Sequence, residues 1–337
     1  MKDGTAPSAA PNGARWFEKL ALLDMYAVFY LVVLLLASLG GYGPRREHAI
    51  AVLCIDLALA AALLYVAKFR PRTAPSPWTE LAYRAGFVAV TAGTYLQLQY
   101  ILPAASRTAY DAQIYAFDMR VFGYEPALAW DKYVTAARTE WFALFYYSHF
   151  FIIVAHAVFY LLNARNMRRL LHLCTSLVLV FCTGHMLYIL VPGYGPMQYF
   201  AGTFTHPLQG GIFWHLVQDA VATNGAQKDI FPSLHTAGPS VFCMIAWVHR
   251  NATPMRYLWL PLTMWTTQII IATMYLRWHY LIDVVAGLVL ASVSCYLALR
   301  MTDWELGRRA HRLLPPVFEM EAFPWLRGRT ESSHQGA

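Results

Sequence analysis

Charged side chains are scarce in this sequence. Asp, Glu, Lys and Arg account for 13% of its 337 residues, whereas soluble domains carry about 25%. Hydrophobic residues make up 58% of the chain, and the mean hydropathy is +0.39. This composition excludes an ordinary water-soluble globular domain. The net charge of +7 does not indicate a nucleic-acid partner, because no basic run with interleaved aromatic residues lies on a soluble module.

Cysteine is also rare, and no two cysteines form a CxxC pair. All five lie inside apolar runs, where a free thiol behaves as a small hydrophobic group: Cys54, Cys174, Cys182, Cys243 and Cys295. This pattern excludes a disulfide framework. No set of His, Glu and Cys residues has the tight spacing of zinc ligands either. We therefore predict no metal site and no cofactor.

Long apolar runs are what the sequence has in abundance. A helix needs about 20 apolar residues to cross the hydrocarbon core of a bilayer. Eight runs approach that length, at about 20–40, 48–67, 85–103, 141–163, 170–191, 232–249, 257–276 and 279–299. The third is the weakest, because it contains Gln97 and Gln99. The first is full length and has no A-x-A-like cleavage site after it, so we expect it to remain as a membrane anchor. We predict an all-α, polytopic membrane protein with about eight transmembrane helices.

The distribution of Lys and Arg predicts the orientation of these helices. With the N-terminus inside, 18 of the 26 basic residues lie in cytoplasmic segments. Anionic lipid at the inner surface accounts for this asymmetry. We therefore expect both termini in the cytoplasm. The loop before His235 and the turn before His279 then face the extracytoplasmic side.

Segments outside the apolar runs divide the chain. Residues 1–15 are rich in Ala, Pro and Gly, which is typical of a disordered leader, and residues 16–84 hold the first two helices. The segment 104–140 alternates apolar and charged residues, as helices lying in the membrane interface do. The segment 192–230 contains "VPGYGP" and a short helix-like stretch. Loops of this length are usually functional, although a mere spacer remains an alternative. Residues 301–337 form a charged, proline-broken cytoplasmic tail, which we expect to be partly ordered.

Several ionisable residues fall inside the predicted spans, where they are costly and are candidates for function. For Asp24 and Asp56 we favour a structural role, through pairing or interfacial water. His149, His156 and His185 are best explained as buried neutral imidazoles with hydrogen-bond partners. None of these five is a first choice for the site.

The strongest candidates lie in two short motifs. In "LRWHYLIDVVAG", His279 and Asp283 are four residues apart, which predicts that they share one helical face. A carboxylate bound to one ring nitrogen fixes the tautomer and leaves the other nitrogen free to attack. In "FPSLHTAG", His235 follows Pro232 at the start of a helix, where free N–H groups favour anions. Two histidines and a carboxylate at one membrane face suit phosphoryl transfer, with one histidine as nucleophile and the other as proton donor.

These motifs resemble the paired signatures of the type 2 phosphatidic acid phosphatase superfamily, P-S-x-H and S-R-x5-H-x3-D. Their histidines are 44 residues apart in the chain. The resemblance covers about residues 85–300 and implies a six-helix catalytic core behind the two N-terminal helices. It also implies that His279 forms a phosphohistidine, Asp283 orients it and His235 protonates the leaving oxygen. Ser233 would bind a phosphate oxygen.

The chain departs from the superfamily pattern at three cationic positions. The signature K-x6-R-P would end at Pro196, but its Lys and Arg positions hold Tyr188 and Gly195. The Ser-Arg pair of the last signature is replaced by Ala272 and Thr273. With "PGYGP", "RWHYLIDVVAG" and "FDMRVFGYEP", this pattern is more similar to the inositol phosphorylceramide synthase branch. The branch implies substrate-binding roles for the Tyr194–Gly195–Pro196 segment.

The branch also implies a phosphodiester substrate. A phosphate monoester carries nearly two negative charges at neutral pH, so several cations are needed to stabilise it in a site. A diester carries one negative charge and needs fewer. The remaining charge would come from Arg277, for which an ordinary interfacial arginine is an equal alternative.

The resemblance implies a metal-independent membrane enzyme that transfers phosphoinositol, or a related head group, from a phospholipid to ceramide, another lipid or water. A phosphatase for lipid phosphate monoesters, of the phosphatidate or polyprenyl diphosphate type, is the closest alternative. A proton-coupled transporter or flippase is more distant, because broken helices and repeated halves are not evident. A catalytically dead lipid-binding protein would not require the His235–His279–Asp283 set.

Overall fold

A computed structural model of the chain describes residues 16–70, 76–162, 166–224 and 228–319. Within these ranges the protein is helical and has no β-strand; one isolated bridge joins Gly193 and Asp229. The predicted disordered leader and residues 320–337 of the tail lie outside the described residues.

The helices follow one another through short connections. We number them in chain order: α1 Leu22–Gly40, α2 Arg46–Leu64, α3 Pro77–Val88, α4 Thr94–Ala105, α5 Asp111–Val121, α6 Pro126–Ala129, α7 Ala136–Leu162, α8 Met167–Leu190, α9 Pro196–Tyr199, α10 Ile212–Asn224, α11 Leu234–Val248, α12 Met255–Tyr275 and α13 Leu281–His311. A π-helical turn, Ala89–Gly93, joins α3 to α4, and another, Tyr65–Phe69, ends α2.

Each predicted span coincides with a helix or, for the third span, with the α3–α4 pair. Among the described residues, four helices are long and apolar enough to cross a membrane by themselves: α1, α2 with its π-helical end, α8 and α13. The apolar helix α11 is shorter. The structure therefore confirms the all-α membrane class.

The packing centres on α11, which contacts α8, α12 and α13. The two N-terminal helices pack against each other, and both contact α4. The close contact of α11 with α13 depends on Gly287: a Cβ there would lie 2.5 Å from the Ser233 carbonyl oxygen, closer than packed atoms approach. Because Gly287 lacks a side chain, the N-terminal ends of α11 and α13 lie side by side.

The last helix continues beyond its apolar part. It runs on to His311, and its polar end is held by an ion pair between Arg309 Nε and Glu305 Oε1 at 2.6 Å. Beyond the helix, Phe318 is fully buried against Tyr83 and Phe87. The first part of the tail is thus packed on the helical body.

Candidate active site

His279 and Asp283 lie together, although not in the way that their spacing predicts. The helix α13 begins at Leu281, so His279 precedes it and the two residues do not share a helical face. Asp283 is instead the third residue of the helix and reaches back over its first turn. Its Oδ2 accepts a hydrogen bond from the Tyr280 N–H at 2.9 Å and lies 3.5 Å from His279 Nδ1. The prediction of proximity holds, but its cause is a capped helix start.

Two carboxylates of α5 hold this turn in place. Asp118 is fully buried and accepts hydrogen bonds from the N–H groups of Leu281 (2.8 Å) and Ile282 (3.0 Å). Asp111 accepts a hydrogen bond from the Tyr280 hydroxyl at 3.1 Å. The first amides of α13 are therefore occupied by protein carboxylates. For this reason the N-terminus of α13 is not where a phosphate would bind.

The second histidine lies at the start of α11. Ser233 is the N-cap, and its Oγ accepts a hydrogen bond from the Thr236 N–H at 3.2 Å. The Ser233 N–H donates to the backbone carbonyl of Asp283 at 2.9 Å, which ties the two motifs together. His235 Nε2 lies 3.1 Å from the Tyr146 hydroxyl, and the two rings stack. Ser233 is fully buried, so its side chain caps α11 and presents no open surface to the cavity.

His235 and His279 face each other across one cavity. Their ring centroids are 6.1 Å apart, a separation that suits one phosphoryl group between them. Both line a cavity of about 190 Å³, together with Tyr194, Trp278 and Asp229. The structure thus brings together the two histidines and, through His279, the Asp283 carboxylate.

The Tyr194–Gly195–Pro196 segment buttresses this cavity. Asp111 accepts hydrogen bonds from the N–H groups of Tyr194 (3.0 Å) and Gly195 (2.8 Å). Gly195 has φ +88°, and a side chain there would collide with the Trp278 carbonyl. Tyr194 lines the cavity, whereas Gly195 and Pro196 are not among its lining residues. The two latter residues act on the site by shaping the loop beside it.

Arg277 is engaged away from the cavity. Its Nη2 lies 2.8 Å from Asp131 Oδ1 and donates to the His206 carbonyl at 2.6 Å, while its guanidinium lies 3.7 Å from the Phe204 ring centroid. Burial would raise the pKa of Asp131, but hydrogen bonds from Thr205 and His206 lower it to about 2. Arg277 is not among the residues that line the cavity. This placement matches the alternative of a structural, interfacial arginine.

The positions of the missing cations are filled by residues with other contacts. Tyr188, at the signature lysine position, is buried, and its hydroxyl interacts with the backbone amide of Leu234. Thr273, at the signature arginine position, caps the end of α12. Its carbonyl accepts hydrogen bonds from the N–H groups of Trp278 (3.0 Å) and His279 (3.2 Å). Among the described residues that line the cavity there is no Lys or Arg.

Three acidic residues of the outer loop, Asp111, Asp118 and Glu125, lie close to the site but are not among the site residues predicted from the sequence. Asp111 and Asp118 are seven residues apart on α5 and so share one face, a signal that was available. Glu125 interacts with Asp118 and caps α6 through the Ala127 N–H at 3.0 Å. Burial and the nearby Asp118 raise the pKa of Glu125 to about 8. The raised pKa favours the neutral form of Glu125, which limits the negative charge near Asp283.

Comparison with known proteins gives one match. The family model described as PAP2 superfamily matches residues 112–297, more than half of the chain and a range that contains His235, His279 and Asp283. No curated protein and no solved structure shows a significant match. The matched range begins inside α5 and ends inside α13.

Proposed function

The chain belongs to the PAP2 superfamily, and from this premise and the site geometry we propose that it is an integral-membrane lipid phosphotransferase that works through a phosphohistidine. The single observation that carries the proposal is the pairing of His235 and His279 across one cavity, with 6.1 Å between ring centroids. A family of phosphatases and phosphotransferases supplies the reaction class. The substrate and the direction of transfer are our own inference.

In the first step, a ring nitrogen of His279 attacks the phosphorus of a phospholipid. The N–P bond forms while the bond from phosphorus to the lipid oxygen breaks, and protonated His235 gives its proton to that oxygen. Asp283, 3.5 Å from His279 Nδ1, orients the ring and stabilises the charge that develops on it. The products of this step are a lipid alcohol, a phosphohistidine that carries the head group, and neutral His235.

In the second step, an acceptor hydroxyl replaces the lost lipid. Its oxygen attacks phosphorus, the N–P bond to His279 breaks, and neutral His235 takes the hydroxyl proton. His235 is thereby protonated again for the next turnover. Water in the same position gives hydrolysis, so the nature of the acceptor decides between transferase and phosphatase.

The charge of the cavity favours a phosphodiester over a monoester. A monoester brings close to two negative charges, and the described cavity residues offer no Lys or Arg to meet them. A phosphodiester brings one negative charge, which a single protonated histidine neutralises. We therefore favour transfer of phosphoinositol, or a related head group, to a lipid alcohol such as ceramide.

The location follows from the charge distribution of the sequence. With 18 of the 26 basic residues on the cytoplasmic side, we place both termini in the cytoplasm and the active site at the extracytoplasmic face. The donor and the acceptor lipid would then enter from the outer leaflet.

Product analysis tests the proposal. The purified protein in lipid nanodiscs is given phosphatidylinositol labelled in the head group, with ceramide present and water as the competing acceptor. We expect labelled inositol phosphorylceramide and, after rapid acid-free quenching, label on the wild-type protein but not on His279→Ala. Release of inorganic phosphate from phosphatidate, with no product from the diester, would instead support the monoester phosphatase. Absence of any lipid product and of labelled protein would refute the proposal.

A further inference from the structure

Two cavities meet at the candidate site. The first, of about 190 Å³, contains His279. The second, of about 310 Å³, lies between α4, α7 and α8 and is walled largely by apolar side chains such as Ile153 and Phe181. Four residues line both cavities: Tyr95, Phe150, Asp229 and His235. A lipid with its polar end at His279 and a hydrocarbon chain in the second cavity would cross this junction.

Asp229 is the one carboxylate among the described residues that line the junction. It lies six residues before His235 and is part of neither family signature. The bridge to Gly193 fixes its backbone, and the Tyr95 hydroxyl is a hydrogen-bond partner of its side chain. Its charge also acts on Tyr146, whose hydroxyl contacts His235. Asp229 therefore lines the same junction as the proton-transferring histidine.

An ionised carboxylate only accepts hydrogen bonds, and it has room for several. The backbone N–H of Asp229 itself and the Tyr95 hydroxyl are two donors to its carboxylate, and the two carboxylate oxygens have room for a further donor from a ligand or from water in the cavity. Burial raises the pKa of Asp229 to about 6, so it is largely ionised above neutral pH. A lipid that brings a hydrogen-bond donor to the junction gains from this acceptor, and a lipid that brings only carbonyl oxygens is repelled.

We infer that Asp229 selects the acceptor lipid by accepting a hydrogen bond from a second donor, a hydroxyl or an amide N–H, next to the reacting hydroxyl. The reacting hydroxyl itself must face His235, which takes its proton, and one hydroxyl cannot serve both groups. An N-acylated amino diol has such a second donor, whereas a diacylglycerol has only ester carbonyls. This inference rests on the proposed function and assigns its acceptor specificity to one residue.

A competition experiment measures this selection. The full-length protein in nanodiscs receives phosphatidylinositol with a labelled head group, together with equal amounts of ceramide and diacylglycerol whose matched chains are shorter than those of the donor. The chain length then separates phosphatidylinositol newly formed from the added diacylglycerol from the labelled donor. The ratio of the two labelled products is the readout, because effects on the donor step or on folding cancel in it. A hydrogen bond to a charged group contributes roughly ten- to hundredfold to such a ratio. We expect Asp229→Asn to lower the wild-type preference for ceramide by about tenfold or more.

Two further measurements complete the test. Asp56→Asn is the matched control, because Asp56 lies on α2 and lines neither cavity of the junction; its product ratio should equal that of the wild type. The second measurement needs no variant: the wild-type protein receives a ceramide analogue that lacks the secondary hydroxyl and carries an N-methyl amide. Its preference for this analogue over diacylglycerol should be lower than its preference for ceramide by the same factor.

The outcomes distinguish a failure of the role of Asp229 from a failure of the proposed function. An unchanged product ratio in Asp229→Asn, with both products still formed, would overturn the role of Asp229 and leave the phosphotransferase proposal intact. Formation of inositol phosphate alone by the wild type would overturn the acceptor role and favour a hydrolase. Absence of product and of phosphorylated His279 would overturn both proposals.

Discussion

Replacing each of the two histidines with alanine should have different consequences that depend on the leaving group. His279→Ala should abolish turnover of every substrate, because no covalent intermediate can form without the nucleophile. His235→Ala still permits the attack, but a lipid alkoxide must then leave without a proton. The 6.1 Å between the two rings puts one phosphoryl group within hydrogen-bonding reach of both. The loss for a lipid substrate is therefore that of a general acid, about 10²- to 10⁴-fold in kcat.

A good leaving group should separate the two variants. Nitrophenolate departs without protonation, so an aryl phosphodiester should restore most of the lost rate in His235→Ala and none in His279→Ala. The assay compares kcat for a natural lipid and for the aryl diester with all variants in the same detergent. His156→Ala is the matched control, because His156 lies on α7, stacks on Phe242 and lines neither of the two cavities. Equal rescue of both variants would reverse or destroy the assignment of roles.

Four further predictions follow from the contacts of the site. Asp283→Asn should keep the fold but lower kcat by about 10²- to 10⁴-fold, since the wrong imidazole tautomer is favoured; unchanged kcat would remove Asp283 from the mechanism. Asp118→Asn offers one oxygen to two helix amides, so the free energy of unfolding should fall by about 1–3 kcal/mol, measurable by thermal or denaturant melts. The pKa of Glu125 is raised from 4.5 to about 8, so the stability that its bound proton provides is lost as the pH rises through that window. Glu125→Gln has no proton to lose there, so its free energy of unfolding should rise relative to that of the wild type between roughly pH 5 and 8. A difference in unfolding free energy that does not change with pH would contradict the assignment. EDTA should not lower activity, because the proposed nucleophile is an imidazole rather than a metal-activated water; full loss, restored by one divalent ion, would count against it.

The helices could be predicted because the apolar core of the bilayer dictates the hydrophobicity of the segments that cross it. A run of about 20 apolar residues has few stable alternatives in a bilayer, so every predicted span coincides with helical structure. The ends of the helices could not be predicted in the same way. The helix α13 continues past residue 300 because the ion pair between Glu305 and Arg309 supports a helix outside hydrocarbon, where hydropathy no longer carries information.

The site was only partly predictable. The two histidine motifs are local and identified His235, His279 and Asp283, but the helix start at Leu281 could not be inferred from an i, i+4 spacing. Long-range partners were out of reach for the same reason. Arg277 looks like a free cation beside His279 until its ion pair with Asp131, 146 residues away in the chain, is seen.

The carboxylates around the catalytic turn connect its architecture to its substrate. Asp111 and Asp118 position the turn by accepting hydrogen bonds from its backbone and from Tyr280. Any phosphate bound at His279 must therefore approach a group of negative charges. At an effective dielectric constant of about 20, two unit charges about 10 Å apart repel by roughly 1.7 kcal/mol. A dianionic monoester would experience twice the repulsion of a diester from each carboxylate. The raised pKa of Glu125 favours its neutral form and so reduces this negative charge. Under the proposed function, a scaffold built from carboxylates rather than from the signature cations favours a singly charged phosphodiester over a dianionic monoester.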